Sequence, residues 1–228
     1  MWKDILTLFK GCGLCEEAFA EALIMLETSQ GMFHDAVGAL HKQGALVDDI
    51  YARDRQLNKY ERSVRRKILT HLTVSPKADV NMGLVITAIV IDIERIGDYA
   101  KNISELAVGL EEPFDAGELH EDVLKLEGIV KGIFSDLVPA LEEGDENRAR
   151  RIMKEHKKVS RTVEKHLKAL REGQVLLSDS GRAVTTALYL RYLKRMSAHL
   201  KNVASSVVNP YYRIGYREKK KKGEKGKS

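Results

Sequence analysis

Apolar residues in the stretch Val80–Leu110, VNMGLVITAIVIDIERIGDYAKNISELAVGL, fall at Ile86, Ile89, Ile93, Ile96, Ala100, Ile103, Ala107 and Leu110. Steps that alternate between three and four residues trace one face of a long amphipathic helix packed on other helices. Upstream, Leu8, Cys12, Cys15, Phe19, Leu23 and Leu26 keep the same rhythm and predict a first helix from about Trp2 to His41, weakened in its second half by Gly31 and Gly38. Gly44 punctuates, and Val47, Ile50, Leu57, Val64 and Ile68 predict a second helix that stops at Thr73-Val74-Ser75-Pro76. Pro76 is expected to open the third helix, where its missing N–H costs nothing.

Pro113-Phe114-Asp115 then breaks the chain. Acidic residues dominate from Glu111 to Glu146 and basic ones from Arg148 to Arg171, with Glu143-Gly144-Asp145 between them. Two helices of opposite charge, the fourth and fifth, are expected to pack antiparallel there. Gly173 closes the fifth, Ser178-Asp179-Ser180 supplies N-caps, and a sixth runs to about Val208 before Asn209-Pro210. A shift of 100 residues aligns Ile93-Glu94-Arg95-Ile96 with Leu193-Lys194-Arg195-Met196, and Lys101-Asn102-Ile103 with Lys201-Asn202-Val203. The expected fold is all-α: two tandem, pseudo-symmetric three-helix bundles over residues 1–112 and 113–212, followed by a disordered basic tail at 213–228.

Composition agrees, with 43% hydrophobic residues, only 6% aromatic and four prolines in 228 residues. No apolar run reaches the roughly 18–20 residues that span a bilayer; the best, Met82 to Ile91, ends at Asp92. The N-terminus has acidic Asp4 and no small-residue cleavage site, so the protein is expected in the cytoplasm. The net charge of +5 equals that of Arg217–Ser228 alone, where seven basic residues meet two acidic ones. Such a tail is either a solvated end or a contact with anionic lipid at the inner face of the membrane, at roughly 1 kcal/mol per lysine. Specific nucleic-acid binding is not expected, because the acidic fourth helix can neutralise the basic fifth and stacking aromatics are lacking. Cys12 and Cys15 form a lone CxxC on an apolar face and read as small core residues, with an intermolecular metal or disulfide link as the alternative.

The candidate chemistry is acidic. Glu94 and Asp98 lie one turn apart on the face opposite the seam, a mildly destabilising like-charged pair that Lys101 and water can offset, or that a hard cation can bridge. On the second helix Asp54 and Glu61 fall on the inward stripe between Val47 and Ile68, where buried carboxylates need partners; Arg53, Arg55, Lys59 and Arg65 are on the same helix. No Gly-rich phosphate loop, HExxH or nucleophile triad is present, and the seven histidines show no recurrent ligand spacing, so no catalysis is expected.

Ser75-Pro76-Lys77-Ala78-Asp79, Ile91-Asp92-Ile93 and Glu94-Arg95-Ile96-Gly97-Asp98 together resemble the signature helix of the PhoU family, regulators of bacterial and archaeal phosphate uptake. Asp54-Arg55-Gln56-Leu57-Asn58 is similar to the family's second acidic motif, and Leu190–Arg195 with His199 to its second signature helix, so that the resemblance covers about residues 3–212. It implies a non-enzymatic adaptor acting on a membrane phosphate transporter and on a sensor histidine kinase, and leaves a homodimer open. It also implies a metal cluster for each bundle, here Asp54, Asn58, Glu94 and Asp98 for a hard cation such as Fe, Mn or Mg. The site is expected to be weak, because neutral Asn58 stands where the motif also accepts an acid. In addition, Asp54 reads as inward and Glu94 and Asp98 as outward. In the second copy Lys194, Ser197 and Ala198 replace Glu94, Gly97 and Asp98, and the region of Asp54 reads His156-Lys157-Lys158-Val159-Ser160. That half is expected to repel a metal or attract an anion. A generic helical scaffold or chaperone-like module is the rival reading.

Overall fold

The computed structural model describes residues 2–9, 13–42, 47, 49–75, 79–108 and 110–218. Among these there are seven α-helices, two short 3-10 turns and no strand. The helices are α1 (Trp2–Phe9), α2 (Gly13–His41), α3 (Ile50–Val74), α4 (Val80–Ala107), α5 (His120–Glu143), α6 (Glu146–Arg171) and α7 (Ser180–Val208). Helices α2, α3 and α4 pack as one bundle, α5, α6 and α7 as a second, and α4 lies against α7 where they join.

The single first helix expected over Trp2–His41 is two helices, α1 and α2. Gly11-Cys12-Gly13 places two poor helix formers at the division, at about 1 kcal/mol each, and residues 10–12, Cys12 included, lie outside the described residues, as does Gly44. Cys15 is buried. The third long helix begins at Val80 rather than at Pro76, which is also outside the described residues; Asp79 Oδ1 caps it by accepting the Met82 N–H at 3.0 Å. The other punctuation behaves as its chemistry dictates. Gly144 ends α5 in the left-handed region (φ 62°), Asp145 caps α6 through the Asn147 and Arg148 N–H groups, and Asp179 caps α7 through Arg182 N–H.

The predicted seam of α4 is buried from Ile86 to Ala107, but so are Met82, Gly83, Val85, Val90, Gly97 and Ser104. A helix with neighbours on several sides needs a wide apolar face. The mid-helix glycine has a steric cause: a Cβ on Gly97 would stand 2.2 Å from Leu57 Cδ1, a side chain that is itself buried between α3 and α4. The 100-residue repeat is carried through packing, since Ile93, Ile96, Ala100 and Ile103 are buried in one copy and Leu193, Met196, Leu200 and Val203 in the other.

Residues 213–218, expected in the tail, are folded onto the second bundle. Tyr211–Arg213 form a 3-10 turn, and the chain folds back so that Ser205 Oγ accepts Gly215 N–H (2.6 Å), Lys201 Nζ donates to Gly215 O (2.7 Å) and Asn209 Nδ2 donates to Tyr216 O (2.8 Å). Arg150 grips Glu218 with two hydrogen bonds of 2.8 and 2.9 Å. Paired main-chain groups hold this segment, and Ile214 packs against the core. Residues 219–228 lie outside the described residues.

Candidate functional site in the first bundle and the seam between bundles

Helix α3 presents Asp54, Asn58 and Glu61 towards α4, which presents Glu94, Arg95, Asp98 and Lys101. The opposed registers read from the sequence meet at the edge of the α3–α4 contact: the side chains of Asp54, Glu61, Glu94 and Asp98 are 16%, 15%, 12% and 24% exposed, neither buried nor free. Lys101 Nζ lies 2.8 Å from Asp54 Oδ1 and 3.2 Å from Asp98 Oδ1. Arg95 reaches Asp98 at 2.9 Å and Glu94 at 3.5 Å, and Glu61 pairs with Arg65 at 2.9 Å. Glu61 thus finds its partner on its own helix, whereas Asp54 finds it across the bundle.

An ammonium therefore sits between Asp54 and Asp98, the position a cation shared by α3 and α4 would take. Burial works against the charge of Lys101, but its hydrogen bonds to Asp54 and Asp98 outweigh that and raise its pKa. Asn58 Nδ2 is spent on the Asp54 main-chain carbonyl at 3.0 Å. Among the described residues no three His, Cys, Asp or Glu side chains are placed to hold a metal ion. As arranged, Asp54 and Asp98 hold a tethered ammonium between them.

Glu94 carries the uncompensated part of the charge. Burial first, then Asp98, with Glu61 and Asp54 behind it, raises its pKa, and Arg95 only partly opposes them. A carboxyl whose folded pKa is raised contributes stability below its ordinary value and loses it as pH rises through the folded value. Glu94→Gln is accordingly expected to unfold at higher urea than the parent at pH 7, by up to about 0.5–1 kcal/mol, with the difference closing in acid. A variant less stable at pH 7 would show that the carboxylate is needed there.

A second polar group was missed by sequence reasoning. Asp92 of α4 accepts from His199 Nδ1 (2.7 Å) and Asn202 Nδ2 (2.9 Å) of α7. Tyr99 stacks on His199 at 5.7 Å and meets Tyr192 at 5.9 Å, while Arg195 Nε donates to the Tyr99 hydroxyl at 3.1 Å. The contacts 92–199 and 99–192 interchange under the 100-residue shift, so a pseudo-twofold axis passes between α4 and α7. The available signal was the charge of Asp92 between Ile91 and Ile93 together with that repeat; either alone says nothing of a contact 107 residues away in sequence. A third group lies where α2, α5 and α7 meet: Glu127, 3% exposed, accepts from Tyr189 Oη at 2.7 Å, and its Oε1 lies 2.8 Å from His41 Nε2.

The family model described as the PhoU domain matches residues 22–107 and again 123–207. The phosphate-specific transport system accessory protein PhoU homolog of Pseudomonas putida is 26% identical over 200 residues, 85% of this chain and 77% of that protein. The protein of the same description from Aquifex aeolicus is 27% identical over 184 residues, 79% of this chain and 81% of that one. Among solved structures, PhoU from Pseudomonas aeruginosa superposes with a TM-score of 0.76 at 25% identity, covering 86% of this chain and 95% of that one. The phosphate transport system regulatory protein PhoU from Streptococcus pneumoniae, at 16% identity and a TM-score of 0.68 over 91% of this chain and 95% of that one, shares the fold. Each of the two domain matches falls on one of the bundles built from the 100-residue repeat, and the chain belongs to the PhoU family.

Proposed function

We propose that the protein regulates phosphate uptake as an adaptor without enzymatic activity, working through helix-surface contacts with a membrane phosphate transporter and with a sensor histidine kinase. The match of the PhoU domain to both halves of the chain carries this reading, since relatives with that architecture are named accessory proteins of phosphate-specific transport systems. With Asp54 and Asp98 held by Lys101, the acidic cluster supports regulation by contact more than by metal occupancy. The reading places the protein in the cytoplasm at the inner face of the membrane; among the described residues no helix is long and apolar enough to cross it. The test is capture of partners by the tagged full chain from phosphate-replete cells, paired with uptake measurements in a deletion strain. Enrichment of a transporter component with altered uptake is expected; unaltered uptake and no enrichment would overturn the reading.

Membrane contact belongs to the lysines beyond Glu218, because Arg217 and Glu218 are part of the folded segment. Removing residues 219–228 is expected to leave thermal unfolding unchanged and to weaken co-sedimentation with anionic vesicles severalfold. Undiminished sedimentation would make this segment a solvated end.

A further inference from the structure

The repeat sets Lys101 of the first bundle against Lys201 of the second, and their surroundings differ in one respect. Lys101 is neutralised by Asp98, one turn before it, and by Asp54 across the bundle. Around Lys201 the corresponding residues are Ala198 and, from α6, His156. Its ammonium donates instead to a main-chain carbonyl, that of Gly215. Among the described residues Lys157, Lys201 and Arg217 form no ion pair, whereas neighbouring Lys194 is taken by Glu164 at 2.6 Å and Lys158 by Glu155 at 2.7 Å. Asp92, the nearest opposing charge felt by Lys201, is already occupied by His199 and Asn202.

Lys157, Lys201 and Arg217, with His156, Tyr216 and Gly215, line a cavity of about 220 Å³ between α6, α7 and the folded-back segment. At about 30 Å³ per water that is room for roughly seven, enough for a tetrahedral oxyanion with some of its hydration. The local field is positive and partly desolvated: burial first, then Lys201, Lys194 and Lys157, push the His156 pKa down to about 4, and burial lowers that of Lys201. A half-buried cation such as Lys201, without a counter-charge and beside two exposed ones, is unfavourable unless an anion joins it.

We propose that this cavity of the second bundle binds a phosphate-type oxyanion, with Lys201 at its floor and Lys157 and Arg217 at its rim. Where the first bundle closes its inter-helix site with an internal ammonium, the second takes an external anion. The exposed rim admits either free inorganic phosphate or the phosphate of a lipid headgroup. This site rests on its own geometry and not on the assignment of a transporter partner.

The test uses the full chain. Inorganic phosphate is titrated and the His156 ring signals are followed by NMR; vesicles of phosphatidylcholine with and without phosphatidic acid form the second arm. A bound oxyanion is expected to shift the His156 ring signals and raise its pKa, and Lys201→Met to weaken binding by about tenfold or more, the loss of one charge-assisted hydrogen bond. Arg217→Ala, at an exposed side chain, repeats the test without touching the bundle, and Lys125→Ala on exposed α5 surface is expected to change nothing. Phosphate binding identifies the free ion; binding confined to phosphatidic acid vesicles and lost in Lys201→Met identifies a headgroup. No response of His156 to phosphate together with vesicle binding that survives Lys201→Met, or full binding by both Lys201→Met and Arg217→Ala, would overturn the proposal.

Discussion

Lys101→Met is expected to lower the stability of the folded chain by about 2–3 kcal/mol in urea unfolding at neutral pH. Removing one partner of a fully buried ion pair costs about 3–5 kcal/mol, because the other charge is left behind without compensation. The lower figure applies because Asp54 and Asp98 keep 16% and 24% of their exposure and can draw in water. The substitution leaves Asp54, Glu94 and Asp98 facing one another with only Arg95 nearby. Added Mn or Mg is expected to raise the Tm of this variant and to leave that of the parent chain unchanged, because only the variant lacks its internal cation. A loss below about 0.5 kcal/mol, the range of ordinary surface changes, would mean that Lys101 is incidental to the cluster.

Glu127→Ala is expected to cost about 3–4 kcal/mol for a different reason. The carboxylate is almost wholly enclosed, and Tyr189, fully buried, depends on it as acceptor. Burial, then the neighbouring Glu127, drives the Tyr189 pKa upward, so the hydroxyl stays protonated and must donate. Truncation leaves that buried O–H unpaired, at about 1–3 kcal/mol, and adds a cavity whose walls relax only in part. His41, 24% exposed, can turn to water and softens the loss. Tyr189→Phe, which removes the donor, keeps the shape and leaves Glu127 its contact with His41, is expected to cost about 1.5–2 kcal/mol. Equal losses for the two variants in denaturant unfolding would show that the hydrogen bond, and not the volume, is what matters at this junction.

The sequence made the architecture readable because the repeat and the helix punctuation are local signals. A glycine with positive φ at 144 and aspartate caps at 145 and 179 act on groups a few residues away. The site was readable only in its parts. Asp54, Glu94 and Asp98 could be named as a cluster, but a single-stripe reading put them on opposite sides, because it did not allow for α4 being buried against α2, α3 and α7 together. Wide burial turned the supposed outer face into a boundary where both carboxylates and lysine stems can lie. The contacts of Asp92 with His199, and of Glu127 with Tyr189 and His41, depend on how two bundles meet. Helical periodicity carries no information about that. The folded-back segment from Tyr211 to Glu218 was hidden for a related reason: what holds it is a set of side chains offered by α6 and α7, Arg150 on Glu218, Lys201 on the Gly215 carbonyl and Ser205 on the Gly215 N–H.

The indole of Trp2 also bears on the timing of folding. Its Nε1 donates to the Leu141 carbonyl at 2.7 Å, and its ring packs edge-on against Phe19 and beside Gly144. Helix α1 therefore docks at a corner made 139 residues later in the chain. On a translating ribosome the helices α2 to α4 can collapse while α1 still has no seat, and it settles only after the α5–α6 turn has emerged. Trp2 is the only tryptophan of the chain, so its fluorescence reports the docking of α1 on the corner at the end of α5.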